Sequence, residues 1–577
     1  MRTIKQFLFV AMAAATIVGC KEYVPVDTFV EVADPVALTP EAEAKWGEVK
    51  KTLNGGWGSI DWRYGRSEVP ADVCNETLKV VAWKGERQSA QIVLWTAKGA
   101  NGVKCEIADF KSGNVTLPAS IAKARFVRYT ISDERFKVKK GTTIQPDMID
   151  ELDRFDMQAR TTRPVWVTID VPQDAAEGIY TSEITISHEG CGKVRLPLQV
   201  EVQKHTLATA DKWAYHLDLW QHPTSVARAQ GLKLWSDEHF AAMKPLMARL
   251  ADAGQKVITA TLNKDPWNHQ CYDAYEDMIK WTKHKDGSWS YDYKVFDRWV
   301  EMMLGLGINK MINCYSMVPW NCELHYFDEK EGKMVTVKAE PGKPIFPKIW
   351  EPFLKDFTKH LKAKGWLSFT NIAMDERAPE AMQAAVDVLK KHAPEMGFAI
   401  ADNHESFKKF NVMRDVCVAQ HQFVSLEDIA KRRAAGQNTT FYVCCGPLYP
   451  NTFTHSHPYE AEFLGWFGLS RDYDGMLRWA YNSWPADPVN DSRYGGWTSA
   501  DTYLVYPENR TSIRFERLRD GIEVAEKVRQ LRREGVDVSA IDAVLAKISK
   551  GNVTDHTQPW DKVVAEARAA LDEASRK

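Results

Sequence analysis

The stretch Phe369-Thr-Asn-Ile-Ala-Met-Asp-Glu-Arg377 decides the fold. A short apolar run ends in two adjacent carboxylates, and helix-forming sequence follows from about Glu380 to Ala393. This reads as a β-strand that delivers its acids into a βα loop. In a (β/α)8 barrel the C-terminal strand ends form the active face, which makes Asp375 and Glu376 the catalytic candidates. Neighbouring carboxylates repel, so one tends to hold a proton near neutral pH. One acid that donates and one that stays charged is what glycoside hydrolysis requires. In a competing reading the pair caps the following helix, where acids are favoured. Successive strand residues face opposite ways, so both acids share a site only if the strand breaks at the pair.

The flanking sequence alternates strand and helix. Trp213–Leu219, Val257–Thr261 and Met311–Tyr315 read as strands one to three, and the run into Asp375 as strand four. Phe398–Ala401, Val416–Ala419, Thr440–Cys444 and Gly475–Tyr481 complete the set. Ser236 can cap a helix that Gly254 stops after Ala253. Trp281–Tyr291, with Asp286-Gly287 at its centre, reads as an inserted hairpin, and Ser316 to Ile345 as a long excursion. A TIM-like barrel over residues 212–510 is therefore expected.

Its strand ends supply the binding candidates: His216 and Asp218, then Asn313 and Tyr315, then Tyr442, and finally Tyr481 and Trp484. Trp220, Trp267, Trp320, Asp402 and Asn482 stand at similar places. Amides meet sugar hydroxyls and indole rings meet the apolar C–H face, so the set suits a glycan. His216 could equally be a satisfied structural histidine, and any single tryptophan a core residue. Strand seven ends in Cys444-Cys445-Gly446-Pro447, with no carboxylate. That argues against a second, nucleophilic acid and for a substrate that supplies its own nucleophile.

Residues 25–205 read as a β-sandwich: short runs rich in Val, Ile, Thr and aromatics, separated by Gly, Pro, Asn and Asp. Residues 511–577 read as a helical cap on the barrel. Residues 1–20 read as a lipoprotein signal peptide. Arg2 and Lys5 precede an apolar stretch that ends in Ile17-Val18-Gly19-Cys20, with Cys20 the expected lipidation site and membrane attachment. A plain secretory peptide or a short membrane anchor is the alternative. The reading places the protein in the cell envelope of a Gram-negative-type bacterium, at the periplasmic face or the outer surface, and Lys21-Glu22 leans toward the surface.

The formal net charge of −2, with no long basic run, excludes nucleic-acid binding through phosphate neutralisation. The nine cysteines after Cys20 are scattered; they fit neither a disulfide framework nor a zinc site, and most are expected to be buried small residues. No metal or other cofactor is expected.

The chain resembles glycoside hydrolase family 123, the β-N-acetylgalactosaminidases. Three motifs carry the resemblance: Trp83-Lys-Gly-Glu-Arg-Gln-Ser-Ala-Gln-Ile92, Met374-Asp-Glu-Arg377 and Ser512-Ile-Arg-Phe-Glu-Arg-Leu-Arg-Asp-Gly-Ile522. It implies an exo-acting retaining enzyme that releases β-linked N-acetylgalactosamine from glycolipid- or glycoprotein-type glycans. By the same resemblance Asp375 would orient the acetamido group and stabilise an oxazolinium ion, while Glu376 would protonate the leaving oxygen and later activate water. Another β-hexosaminidase or glycosidase on this scaffold, and a non-catalytic glycan-binding surface lipoprotein, are the alternatives.

Overall fold

The computed structural model describes residues 31–133, 142–190, 192–410 and 413–577. The leader and Cys20 lie outside them. No helix among the described residues is long and apolar enough to cross a membrane.

The N-terminal domain is a sandwich of a six-stranded and a seven-stranded sheet. Its core is the inward face of alternating strands, with Ile92, Leu94, Val165, Val167, Ile184 and Leu198 all buried. One strand comes from the far end of the chain. Thr511–Ser512 pairs antiparallel with Ile149 and Met148, so the polypeptide returns to the sandwich after completing the barrel.

Eight parallel strands form the barrel: β1 (His216–Leu219), β2 (Val257–Thr261), β3 (Met311–Tyr315), β4 (Thr370–Asp375), β5 (Gly397–Asp402), β6 (Met413–Ala419), β7 (Asn438–Tyr442) and β8 (Gly475–Arg478). Ladders run from β2 through β3 to β8 and on to β1. The β1–β2 seam closes differently. A single bridge joins Leu217 to Gln255, and two side-chain amides do the rest. Gln255 accepts from the Leu219 N–H at 3.0 Å and donates to the Val257 carbonyl at 2.7 Å. Gln221 accepts from the Thr259 N–H at 2.9 Å. These amides satisfy strand groups that would otherwise be buried unpaired.

The bounds of β2 and β3 match the sequence expectation; β5, β6 and β7 differ from it by one to three residues, and β1 and β8 by three at one end. β1 starts at His216, because Ala210–Lys212 forms a tight 3-10 turn and the Trp213 indole donates to the Ala208 carbonyl. β8 ends at Arg478, whose buried guanidinium is captured by Asp501 at 2.9 Å and Asn451 at 3.0 Å, so the chain leaves the barrel there. The long excursion contains a second hairpin, Glu323–Asp328 with Lys333–Lys338. It joins the expected hairpin in a four-stranded sheet. Its strands are six residues each and alternate in burial, with Leu324, Tyr326 and Asp328 turned inward on the first and Val335 and Val337 half-buried on the second.

Helix α1 (Pro379–His392) follows β4 and α2 (Pro458–Ser470) precedes β8. α3 (Ile513–Arg533), α4 (Ser539–Lys550) and α5 (Trp560–Arg576) end the chain. α3 crosses α2 at two glycines: a Cβ on Gly465 would lie 2.1 Å from the Gly521 carbonyl oxygen. The cap is also a bracket to the sandwich. Lys527 donates to both oxygens of Glu86, Arg87 N–H to Glu523, Ser89 to Asp520, and Arg514 to Asp147. Two of the three motifs are thus the two halves of one interdomain contact. The cavity of about 360 Å³ between them is lined by ion-paired side chains and lies away from Asp375.

Candidate active site

Inward positions recur every second residue along each strand. On β4 they are Asn371, Ala373 and Asp375. The deepest layer is polar. Asn371 donates to Asn313 at 2.8 Å, and Asn313 and His216 both meet Asp415 Oδ2, at 3.1 and 3.3 Å. Burial pushes the Asp415 carboxyl up, but His216, Asn313 and Arg432 outweigh it and hold it below the usual range. Asp218, also fully buried, has no hydrogen-bond partner at either carboxyl oxygen. Burial and then the Asp415 charge push it well above the carboxylate range, against the pull of Trp220, Gln255 and Asn313.

Above this layer the lining changes to Trp220, Trp267, Tyr315 and Tyr442, set among Ala373, Ala399, Ala401, Cys417 and Ala419. Tyr315 lies 4.6 Å from Trp220 and 5.0 Å from Trp267, ring centre to ring centre. Barrel interiors are usually filled with branched residues. Small residues here leave an aromatic-walled floor beneath the strand ends.

Asp375 is the last residue of β4 and Glu376 the first beyond it. Glu376 has φ +45, the left-handed region that residues with a side chain seldom occupy. Its N–H still bonds the Ala401 carbonyl at 2.8 Å, so the strand is anchored as it breaks. The break brings both carboxyls to one mouth, and the helix N-cap position falls instead at Ala378. The Trp320 indole donates to Asp375 Oδ2 at 3.0 Å, and Arg377 lies over the Trp320 ring. Burial, then the Glu376 charge, push Asp375 up to about 7, against the pull of the Trp320 and Trp267 indoles and of Arg377. Glu376 Oε1 accepts a short hydrogen bond from the Tyr442 hydroxyl.

The structure thus gathers Asp375, Glu376, Tyr315 and Tyr442 at the mouth, with Asp218 beneath them. It does not bring the other binding candidates there. His216 and Asn313 are committed to Asp415, below the aromatic floor. Tyr481 is fully buried and donates to the Leu246 carbonyl at 3.0 Å. Trp484 is buried in the main core and donates to the Val505 carbonyl at 2.6 Å. The sequence expectation sets both at a strand end because it carries β8 three residues past Arg478. The residue that joins the mouth after β8 is Trp479, paired edge-on with Trp497 at 5.3 Å. Trp479 directly follows an apolar strand, which is a usable signal; Trp497 comes from an aperiodic loop, which is not.

Asp402 accepts from the backbone N–H groups of His404 and Ser406 and shapes that turn. Asn482 bonds the His222 backbone through both ends of its amide. Among the described residues no three His, Cys, Asp or Glu side chains are grouped to hold a metal ion. The cysteines depart from expectation: of the eight described, all free, only Cys271, Cys314 and Cys417 are buried.

A polar pair of acids over an aromatic floor fits a sugar ring and proton transfer at its anomeric oxygen. Comparison with known proteins agrees. Residues 220–531 match the glycoside hydrolase 123 catalytic domain, and residues 57–188 the glycoside hydrolase 123 N-terminal domain. A family 123 glycoside hydrolase from Clostridium perfringens, described in terms of glycolipid glycan hydrolysis, superposes with a TM-score of 0.82 at 25% identity, covering 91% of this chain and 97% of that one. A family 5 xyloglucanase from Bacteroides ovatus aligns at 12% identity over 78% of this chain and 98% of its own, but its TM-score of 0.27 carries no argument. No curated protein matches the chain. With a catalytic-domain match over more than half its length and its fold shared over 91% of it, the chain belongs to glycoside hydrolase family 123 and is a glycoside hydrolase.

Proposed function

We propose that the enzyme is an exo-acting, retaining β-N-acetylgalactosaminidase whose substrate supplies the nucleophile, its own 2-acetamido oxygen. One observation carries the reading. Asp375 and Glu376 reach the mouth from one strand end, while the end of β7 offers Tyr442, Cys444 and Cys445 where a nucleophilic acid would stand. Asp402, another strand-end carboxylate, is spent on its own turn. The glycolipid connection of the Clostridium perfringens relative supports a glycolipid-type glycan as the substrate, and terminal β-linked N-acetylgalactosamine follows from the resemblance of the motifs.

In this mechanism ionised Asp375 accepts the acetamide N–H and opposes the positive charge of the forming oxazolinium ring. Glu376 gives its proton to the glycosidic oxygen as that bond breaks. The Trp320 indole fixes the Asp375 carboxyl, and Tyr442 fixes Glu376. Glu376 then takes a proton from water, which opens the ring from the opposite face. Two inversions at one carbon return the β configuration.

A thiazoline analogue of N-acetylgalactosamine, which mimics the fused ring, should inhibit competitively and bind more tightly than the free sugar. NMR of the first-formed product should show the β anomer. An inverted product, or an active enzyme indifferent to the thiazoline, would end the reading. Rates on paired gluco and galacto aryl glycosides decide the sugar. Attachment to the cell envelope through lipidated Cys20 remains part of the proposal on sequence grounds. Cys20→Ala should release the protein from membranes, and persistent anchoring would refute it.

A further inference from the structure

The segment that leaves β7 carries two adjacent thiols into the mouth. Cys444 Sγ and Cys445 Sγ are 3.8 Å apart, and the Cys444 thiol also approaches the Gly446 carbonyl oxygen at 3.8 Å. Both residues are half-buried, whereas Cys271, Cys314 and Cys417 are closed off from solvent. Cys444 packs against the aromatic floor, and Asn451 holds its carbonyl at 2.9 Å. The Cys445 thiol lies within the fields of Asp501 and Glu376. Hydrogen bonding from Cys444 pulls the Cys445 thiol down, and the same bond, with burial, pushes Cys444 up. The hydrogen bond outweighs burial and the opposing Asp501 and Glu376 charges at Cys445, and two thiols this close at the mouth are placed for thiol–disulfide exchange.

We propose that Cys444 and Cys445 are a reversible oxidation site: a low-molecular-weight disulfide of the glutathione type converts the pair to a vicinal disulfide, and ring closure reshapes the wall beside Glu376. The Cys445 thiolate attacks the S–S bond of the oxidant, forming a mixed disulfide and expelling one thiolate. Cys444 then loses its proton to solvent and attacks Cys445 Sγ, expelling the second thiolate. Two protein thiols lose two electrons in all, and one external disulfide becomes two thiols.

Adjacency makes this a switch rather than a staple. Neighbouring Cα atoms are about 3.8 Å apart across a trans peptide, less than the ~4.4–6.8 Å that relaxed disulfides span. The ring is therefore strained, and strained disulfides are the easily reduced ones. Closure draws on the backbone two residues beyond Tyr442, whose hydroxyl holds Glu376. Turnover should fall in the disulfide form and return with reductant.

The test uses the full chain, treated with oxidised glutathione and then alkylated. The tryptic peptide Ala434–Arg471 contains these two cysteines and no others. It should lose two hydrogens and take up neither alkyl nor glutathionyl groups. Displacing a catalytic group by an ångström can cost about 100-fold, so hydrolysis of aryl N-acetyl-β-galactosaminide should drop at least about fivefold and recover with dithiothreitol. Cys445→Ser, compared with itself before and after oxidant, should not respond. Tryptophan fluorescence from the mouth gives a second readout. A peptide that stays fully alkylatable or stops at the mixed disulfide overturns the proposal. So does a disulfide that leaves rate and fluorescence unchanged, or a Cys445→Ser protein that responds like wild type. Only the rate readout rests on the proposed substrate. If that glycoside is not cleaved, the functional reading fails, and the peptide and the fluorescence still decide this one.

Discussion

The Tyr442 hydroxyl donates to Glu376 Oε1 and so ties the end of β7 to the first residue beyond β4. The bond holds the Glu376 side chain over the mouth, after its backbone has turned out of the strand at φ +45. Tyr442→Phe keeps the ring and removes only the donor. It should lower kcat by about 10- to 100-fold with little change in KM, as expected for loss of catalytic positioning. Thermal melting should be nearly unchanged, since the hydroxyl lies at the mouth rather than in the core.

Glu376→Gln tests the general acid. Poor leaving groups need protonation and activated aryl groups do not, so the loss should be largest, about 100-fold or more, on the natural type of linkage. The first step on an activated aryl glycoside should be largely spared. Equal losses on both would remove Glu376 from that role.

Asp375 carries a pH prediction. Held at about 7 by burial and its acidic neighbour, it is protonated in mildly acidic solution. If it must be ionised to take the acetamide N–H, kcat/KM should fall as pH drops through about 7, approaching tenfold per unit. Asp375→Asn should be slow and flat across that limb.

The same shift predicts stability. A folded-state value near 7 lies above the unfolded carboxylate value of about 3.9. The contribution of Asp375 to stability is therefore complete below the unfolded value, and is lost as pH rises through the folded one. Asp375→Asn escapes that loss. Its Tm relative to wild type should rise by a few degrees between about pH 4 and pH 8. A difference that stayed constant or shrank would contradict the assignment.

Glu462 ties barrel helix α2 to the cap, accepting from Arg517 and Arg568 while almost wholly buried. Glu462→Ala removes one acceptor and leaves Asp61 and Asp520 to hold Arg517 and Asp61 to hold Arg568. The expected cost is about 1.5–3 kcal/mol, as for loss of hydrogen bonds to a charged group, read as a lower denaturant midpoint. Activity well below the melting temperature should persist, because this contact is remote from the acids.

Some of this was legible in the residues. β2 and β3 ran where short buried runs put them, and Ser236 and Gly254 bounded the helix between β1 and β2 as cap residues do. Asp375-Glu376 stood out because charge directly after an apolar strand is locally anomalous. The β1–β2 seam was not legible, since nothing in Gln221 or Gln255 announces that an amide will stand in for backbone. Nor was the purpose of the first and third motifs. Their paired polar groups, Arg87 with Glu516 and Ser89 with Asp520, make sense only as partners from opposite ends of the chain.

What the sequence determined by itself was local: apolar runs and caps placed the barrel strands to within a few residues, and one such run placed two acids at the end of a strand. Which side chains share the mouth was decided by tertiary structure. A three-residue change at the end of β8 exchanged Tyr481 and Trp484 for Trp479, because a buried ion pair with Asp501 stops the strand at Arg478. The left-handed turn at Glu376, anchored to Ala401 and met by Tyr442, put two residues that a strand would send to opposite faces onto one. Register, ion pairing and a strained φ depend on partners distant in the chain, and local periodicity carries no record of them.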